Sequence, residues 1–323
     1  MPKNQIELPR RKQLEAIILD SKSFPILEAS IDYCNKRLSE IKSDAICYNS
    51  SKPLDRTQLS DLFKIVKKDV DIFLEVSEIK SPTIVAPQEP YTLIHDLKSV
   101  PGTCLILGGV LYFSIGASET LGNLNNIPNL SNSLLHIGIG ASCILAGSLL
   151  GMIINPNPNC YYAPLGKISV LNYNEQEASL ILAHEYTHHI QKLKWGTRGF
   201  CGRIVNPAFN SFCEGFARGV ERNIAGFYTK ITGDTSYEAT CLEKRHIPEL
   251  KVVYDWLCKQ TNQKPNKDLM GNGYFQDLEE KHFFKKRPND YAIGNTALYL
   301  KEITQGRRIY QNIIAGNFEF SLP

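Results

Sequence analysis

The chain's nine cysteines include no C-x-x-C pair and follow no regular spacing. An odd, irregular set of this kind excludes a disulfide framework and reads as reduced thiols. Excess charge is also scarce, with 36 Lys and Arg against 33 Asp and Glu. Basic clusters such as Arg10-Arg11-Lys12 are short, so nucleic acid is not an expected partner. No apolar stretch stands behind Met1-Pro2-Lys3-Asn4-Gln5, so a cleaved signal peptide is not expected. Residues 1–100 carry no recognisable catalytic motif. What they carry instead is helical periodicity, with Leu59, Leu62, Phe63, Val66, Val70, Phe73 and Leu74 recurring between charged positions. Asp55 and Ser60 are candidate helix caps, and Ser81-Pro82 and Pro87 to Pro90 mark a linker. This region is expected to support or recruit rather than catalyse.

Residues 101–155 lack charge almost entirely. Gly102 to Ala117 has none, and Leu134 to Ile154 holds only His136 and Cys143 as ionisable side chains. An apolar run of about 20 residues spans a bilayer core, so the pair predicts a transmembrane hairpin with the lipid bilayer as a partner. The connector carries Glu119 but no Lys or Arg, whereas Lys98 and Lys167 flank the runs. The positive-inside rule then puts both flanks, and with them the rest of the chain, on the cytoplasmic side of a two-helix membrane protein.

Residues 156–323 hold the chemistry. His184-Glu185-Tyr186-Thr187-His188 is H-E-x-x-H. Residues four apart share a helix face, so two imidazoles can reach one tetrahedral Zn²⁺. Glu185, beside the first ligand, is placed to take a proton from an activated water. The local sequence terminates a helix around the motif. Asn174 and Glu177 form a capping pair, Glu175 and Glu177 lie in the first turn, Lys192 and Lys194 in the last, and Gly196 follows as a stop. Leu180, Ala183, Thr187 and Ile190 make the buried face. His189 points about 100° away from His188, which leaves either a supporting role or a partly exposed histidine. Upstream, Cys160 to Tyr173 reads as a strand with a turn or bulge at Leu165-Gly166-Lys167. Downstream, Phe212 to Lys230, Glu249 to Gln260 and Ala292 to Ile303 read as helices, and Thr261 to Gln276 as a surface loop.

A catalytic zinc needs three protein ligands and an open position. No third histidine follows His188 at the spacing of an extended zincin motif. Glu214, in Phe212-Cys213-Glu214-Gly215-Phe216-Ala217, is the leading candidate, with Gly215 and Ala217 letting its helix approach the motif helix. Two alternatives stay open: Ser211 to Glu214 is also a capping box, which would engage Glu214 with backbone amides, and Glu221 lies one heptad on along nearly the same face.

On these residues the chain resembles the glutamate-zincin (gluzincin) clan of zinc metallopeptidases. The likeness runs from Tyr161 to Gly294 and includes a Tyr-x-x-Gly element at Tyr291-Ala292-Ile293-Gly294. The resemblance implies an α+β fold: a mainly helical, zincin-like catalytic domain with a small sheet, here preceded by a helical region and the hairpin. It implies Zn²⁺ held by His184, His188 and Glu214, and a peptide or protein substrate laid beside the strand Tyr161–Leu171. Tyr291 would donate to the oxyanion, or else pack the core. The expected function is a membrane-anchored zinc metallopeptidase with Glu185 as general base. The runner-up is a non-catalytic membrane scaffold with a structural or vestigial zinc site.

Overall fold

A computed structural model describes residues 11–44, 54–85, 134–143, 160–162, 166–170, 174–205, 207–271 and 288–317, with 110, 113–115, 117 and 118. It is mainly helical with one small sheet. Helices α1 (Arg11–Leu19), α2 (Ser23–Asp44) and α3 (Arg56–Phe73) come first. Strands β1 (Thr83–Val85), β2 (Cys160–Tyr162) and β3 (Lys167–Ser169) follow. Then come α4 (Glu175–Val205), α5 (Pro207–Thr232) and α6 (Ser236–Cys241). A π-helical turn at Leu242–His246 leads into α7 (Ile247–Gln260), and α8 (Lys267–Met270), α9 (Asp290–Gln305) and α10 (Arg308–Ala315) complete the order.

The apolar stripe read in α3 is buried at Leu59, Leu62, Phe63, Val66 and Val70, and Asp55 caps the helix through a capping box with Gln58. Ser60, the other candidate cap, lies inside that helix. The stripe packs on α4, where the Phe63 ring meets Tyr186 edge-on at 5.6 Å. Leu14, Ile31, Val66, Ile181, Phe216, Leu257 and Leu298 belong to one continuous hydrophobic cluster. Helices from both ends of the chain therefore close over the motif helix, which is buried on every side from Ala178 to Gln191.

The break at Ser81-Pro82 is real, and the second half of the expected linker, Pro87 to Pro90, lies outside the described residues. Ser81-Pro82 leads into β1, which pairs in parallel with β3 at Ile84–Ile168. Proline suits the position before an edge strand, where no ladder N–H is required of it. The single strand expected from Cys160 to Tyr173 is an antiparallel pair, β2 with β3, and the sheet order is β1-β3-β2. Gly166, at φ 59°, supplies the left-handed turn before β3. The expected loop from Thr261 carries α8, whose Leu269 and Met270 are buried. Most of the two uncharged runs, 102–117 and 134–154, lies outside the described residues. Among the described residues no helix is long and apolar enough to cross a membrane.

Helices α5 and α9 cross with their backbones in contact. A Cβ on Gly215 would stand 2.1 Å from the Gly294 carbonyl carbon, and one on Gly294 only 1.7 Å from the Ser211 carbonyl oxygen. Gly215 therefore closes on α9 and not on the motif helix, which its sequence context had suggested. Both obstacles are backbone, which cannot turn aside. Gly294→Val is expected to cost about 3 kcal/mol or more, the upper end of overpacking penalties. Gly226→Ala, also on α5 but with nothing within 4 Å, should gain about 0.5–1 kcal/mol from helix propensity. Denaturant melts of the two variants check the opposite signs.

Candidate metal centre

The site is built where α4 and α5 face each other. Asn174 caps α4, accepting the Glu177 amide at 2.9 Å. The regular helix breaks at Gly196, with φ 64° and ψ −157°, so the expected start and stop both hold. His184 and His188 project from one face, one turn apart, and their rings meet edge-on with centroids 4.8 Å apart. Helix α5 begins at Pro207, which pre-sets the first-turn dihedral. Ser211 is therefore a helix-interior residue and not a cap, and Glu214 is free of the backbone-capping role that the sequence also allowed.

Three atoms converge. Glu214 Oε2 lies 3.2 Å from His184 Nε2 and 3.1 Å from His188 Nε2, and the two Nε2 atoms are 3.2 Å apart. All three side chains are buried. Glu221, fully buried, sits on the other side of the first imidazole, with Oε2 3.2 Å from His184 Nδ1. That contact is close but poorly aligned, so it forms no good hydrogen bond.

The protons of His188 can be assigned by elimination. The Cys213 carbonyl can only accept, so the Gln191 atom 3.1 Å from it is the amide nitrogen. The other Gln191 atom is then an oxygen, and it accepts from His188 Nδ1 at 2.8 Å. His188 thus carries its proton on Nδ1 and turns the Nε2 lone pair into the site. The Glu221 carboxylate favours the same tautomer of His184. Two lone pairs and a carboxylate oxygen then face one another at 3.1–3.2 Å, a repulsive set unless a cation or proton sits among them. Ligand atoms about 2.0–2.2 Å from a tetrahedral zinc stand about 3.3–3.6 Å apart, and the observed triangle, at 3.1–3.2 Å, is only slightly tighter. Among the described residues this is the group that could hold a metal, and its three donors leave a fourth position open.

Electrostatics follow the same layout. Burial works against charge on Glu214, but His188 and the contacts from both imidazoles outweigh it and hold the carboxyl well below its ordinary value. Burial also works against His184 protonation, and the Glu214 and Glu221 carboxylates outweigh it, raising that imidazole. Glu185 is 8% exposed. Among the described residues it has no hydrogen-bond partner, in contrast to Glu214 and Glu221.

The remaining expected residues have definite places. Tyr291 is in the first turn of α9, 40% exposed, with the Arg218 guanidinium 5.7 Å from its ring centre. Arg218 is one turn beyond Glu214 on α5, so Tyr291 flanks the site without belonging to its ligand triangle. His189 is buried and donates from Nε2 to the Lys80 carbonyl at 2.7 Å, tying the motif helix to the lead-in of β1. Burial lowers its pKa, in keeping with a neutral, structural imidazole.

Sequence reasoning named Glu221 but missed the shell of charged residues around it. Glu221 accepts from Arg218 and from Arg245 of the π turn, each at 2.8 Å. Arg218 also donates to Glu249, at 3.2 Å, and Glu249 accepts from Asn295. Asn295 in turn touches His246 and Arg222, and Arg222 pairs with Glu302. Arg218 was findable, standing four residues after Glu214 on the same face. Arg245 comes from a segment that carries no motif. Among known proteins, no family model, no curated protein and no solved structure matches this chain.

Proposed function

We propose that the chain is a zinc-dependent metallopeptidase. The observation that carries this reading is the buried triangle of His184, His188 and Glu214, with the uncommitted carboxylate of Glu185 next to it in the helix. A structural zinc site is closed by four protein ligands, whereas a catalytic one keeps three and an open position. The count of three therefore favours catalysis over the scaffold alternative.

When bound, zinc would polarise a peptide carbonyl and lower the pKa of a water toward ~7. Around it the chain's own residues divide the work. His184, His188 and Glu214 would hold the ion. Gln191 fixes the His188 tautomer, so the correct nitrogen faces inward without rearrangement. Glu185 takes a proton from the attacking water as its oxygen bonds to the carbonyl carbon. It passes that proton to the amide nitrogen as the C–N bond breaks, leaving a carboxylic acid and an amine. Tyr291, from the α9 side, is the candidate donor to the carbonyl oxygen as negative charge develops there. Its exposure suits a group that meets substrate. The two uncharged runs between α3 and α4 support a membrane tether, with the catalytic side in the cytoplasm, as part of the same proposal.

The test is cleavage of a peptide library by the full chain. Cleavage is expected to stop on chelation and return on adding zinc. Tyr291→Phe should reduce turnover by about 10²-fold, the lower end for a transition-state donor, with zinc content unchanged. A protein that holds zinc and cleaves nothing would transfer the case to the scaffold reading.

A further inference from the structure

One feature of the charged shell is unusual in its distribution. Two donors and a close imidazole nitrogen crowd a single oxygen of Glu221. Arg218 Nη1 and Arg245 Nη1 each stand 2.8 Å from Oε2, and His184 Nδ1 stands 3.2 Å from it. Oε1 is buried with no hydrogen-bond partner. Arg218 reaches Glu221 from three residues away on the same helix. Arg245 comes from the π turn between α6 and α7, a rare local geometry often found at functional sites.

A carboxylate behind a ligating histidine strengthens that ligand, because it draws the Nδ1 proton and makes Nε2 more basic. Glu221 is placed to do this to His184. Two guanidiniums on the same oxygen counteract it. They withdraw carboxylate charge from the imidazole, and they put positive charge behind a site that would receive a cation. Glu221 and Arg245 should therefore act on the metal in opposite directions.

We propose that Glu221 is the positioning residue that holds His184 for metal binding, and that Arg245, delivered by the π turn, weakens that hold and keeps the bound metal exchangeable and electrophilic. The inference rests on the metal reading above. Arg245 is the adjustable member, because its side chain is partly exposed and Arg218 keeps Glu221 paired without it.

The experiment is zinc affinity by competition with a chromophoric chelator, using the full-length chain, with cobalt(II) absorption as a second readout. Glu221→Gln should weaken zinc binding about 10–100-fold. Arg245→Gln should strengthen it roughly fivefold or more, since a positive charge near a divalent ion is removed. Arg245→Met, which keeps the aliphatic stem, should do the same, and Arg245→Lys should stay near wild type. The cobalt d–d bands should shift in opposite directions in Glu221→Gln and Arg245→Gln. A merely architectural role predicts instead that every variant loosens the metal alongside a lower melting temperature, and that result overturns the proposal. Wild-type affinity in both Glu221→Gln and Arg245→Gln, with zinc bound and His184→Ala empty, overturns this inference alone. Absence of zinc binding by the wild type would overturn it together with the functional reading.

Discussion

Glu214→Ala should strip the site of zinc, while Glu221→Ala should only loosen it. The two glutamates lie one heptad apart on α5, and sequence alone leaves either free to be the ligand. Geometry separates them by which nitrogen of His184 they face. Glu214 Oε2 approaches Nε2, the atom that also faces His188. Glu221 Oε2 approaches Nδ1, on the far side of the ring. Zinc bound with about 10 kcal/mol by three ligands loses roughly a third of that with one ligand gone, more than a hundredfold in affinity. Loss of a residue that acts behind a ligand costs about 10–100-fold. Elemental analysis after gel filtration should find wild type near one zinc per chain, Glu214→Ala near none, and Glu221→Ala partly loaded. A metal-free Glu221→Ala beside a fully loaded Glu214→Ala would reverse the assignment.

The parts of this site that sequence could reach are those set by local geometry. His184 and His188 are four residues apart, and a helix brings such pairs together whatever surrounds them. The helix ends were readable for the same reason, since Asn174 and Gly196 act within a turn of where they sit. Glu214 was reachable only as one of two choices, because the crossing of α4 and α5 decides which stripe residue meets Nε2. The closeness of α5 and α9 was beyond reach. Gly215 and Gly294 each look like ordinary helix glycines, and nothing in either segment pairs them. The strand Thr83–Val85 was missed because its partner Lys167–Ser169 is far along the chain and a three-residue strand has little pattern of its own. Arg245 is the extreme case. Its partner Glu221 is set by a π turn, which single-residue propensities do not encode. What local periodicity fixes is a helix carrying two candidate ligands, and what tertiary packing adds is the third candidate and everything behind it.

Glu185→Gln is the substitution with the most to say about function, and it should leave the protein folded and loaded with zinc while reducing peptide hydrolysis by about 10²-fold or more. A carboxylate only 8% exposed, without a hydrogen-bond partner among the described residues, is costly for a fold to keep. Glu221 is also buried, but it is held by Arg218 and Arg245, so its cost is offset. Glu185 has no such offset, and its position beside His184, a proposed metal ligand, gives it a use that a structural glutamate would lack. Glutamine keeps the shape and the acceptor oxygen but cannot carry a proton from water to a leaving nitrogen. Affinity for zinc should stay close to wild type, because His184, His188 and Glu214 are untouched. Stability should hold or rise slightly, since a buried charge is replaced by a neutral amide. Turnover of a cleaved library peptide, measured with zinc content and melting temperature on the same preparations, decides the matter. Loss of turnover with metal and fold intact identifies Glu185 as the proton carrier. Hydrolysis at the wild-type rate would remove Glu185 from the chemistry and, with it, the water-activating mechanism as drawn from this site.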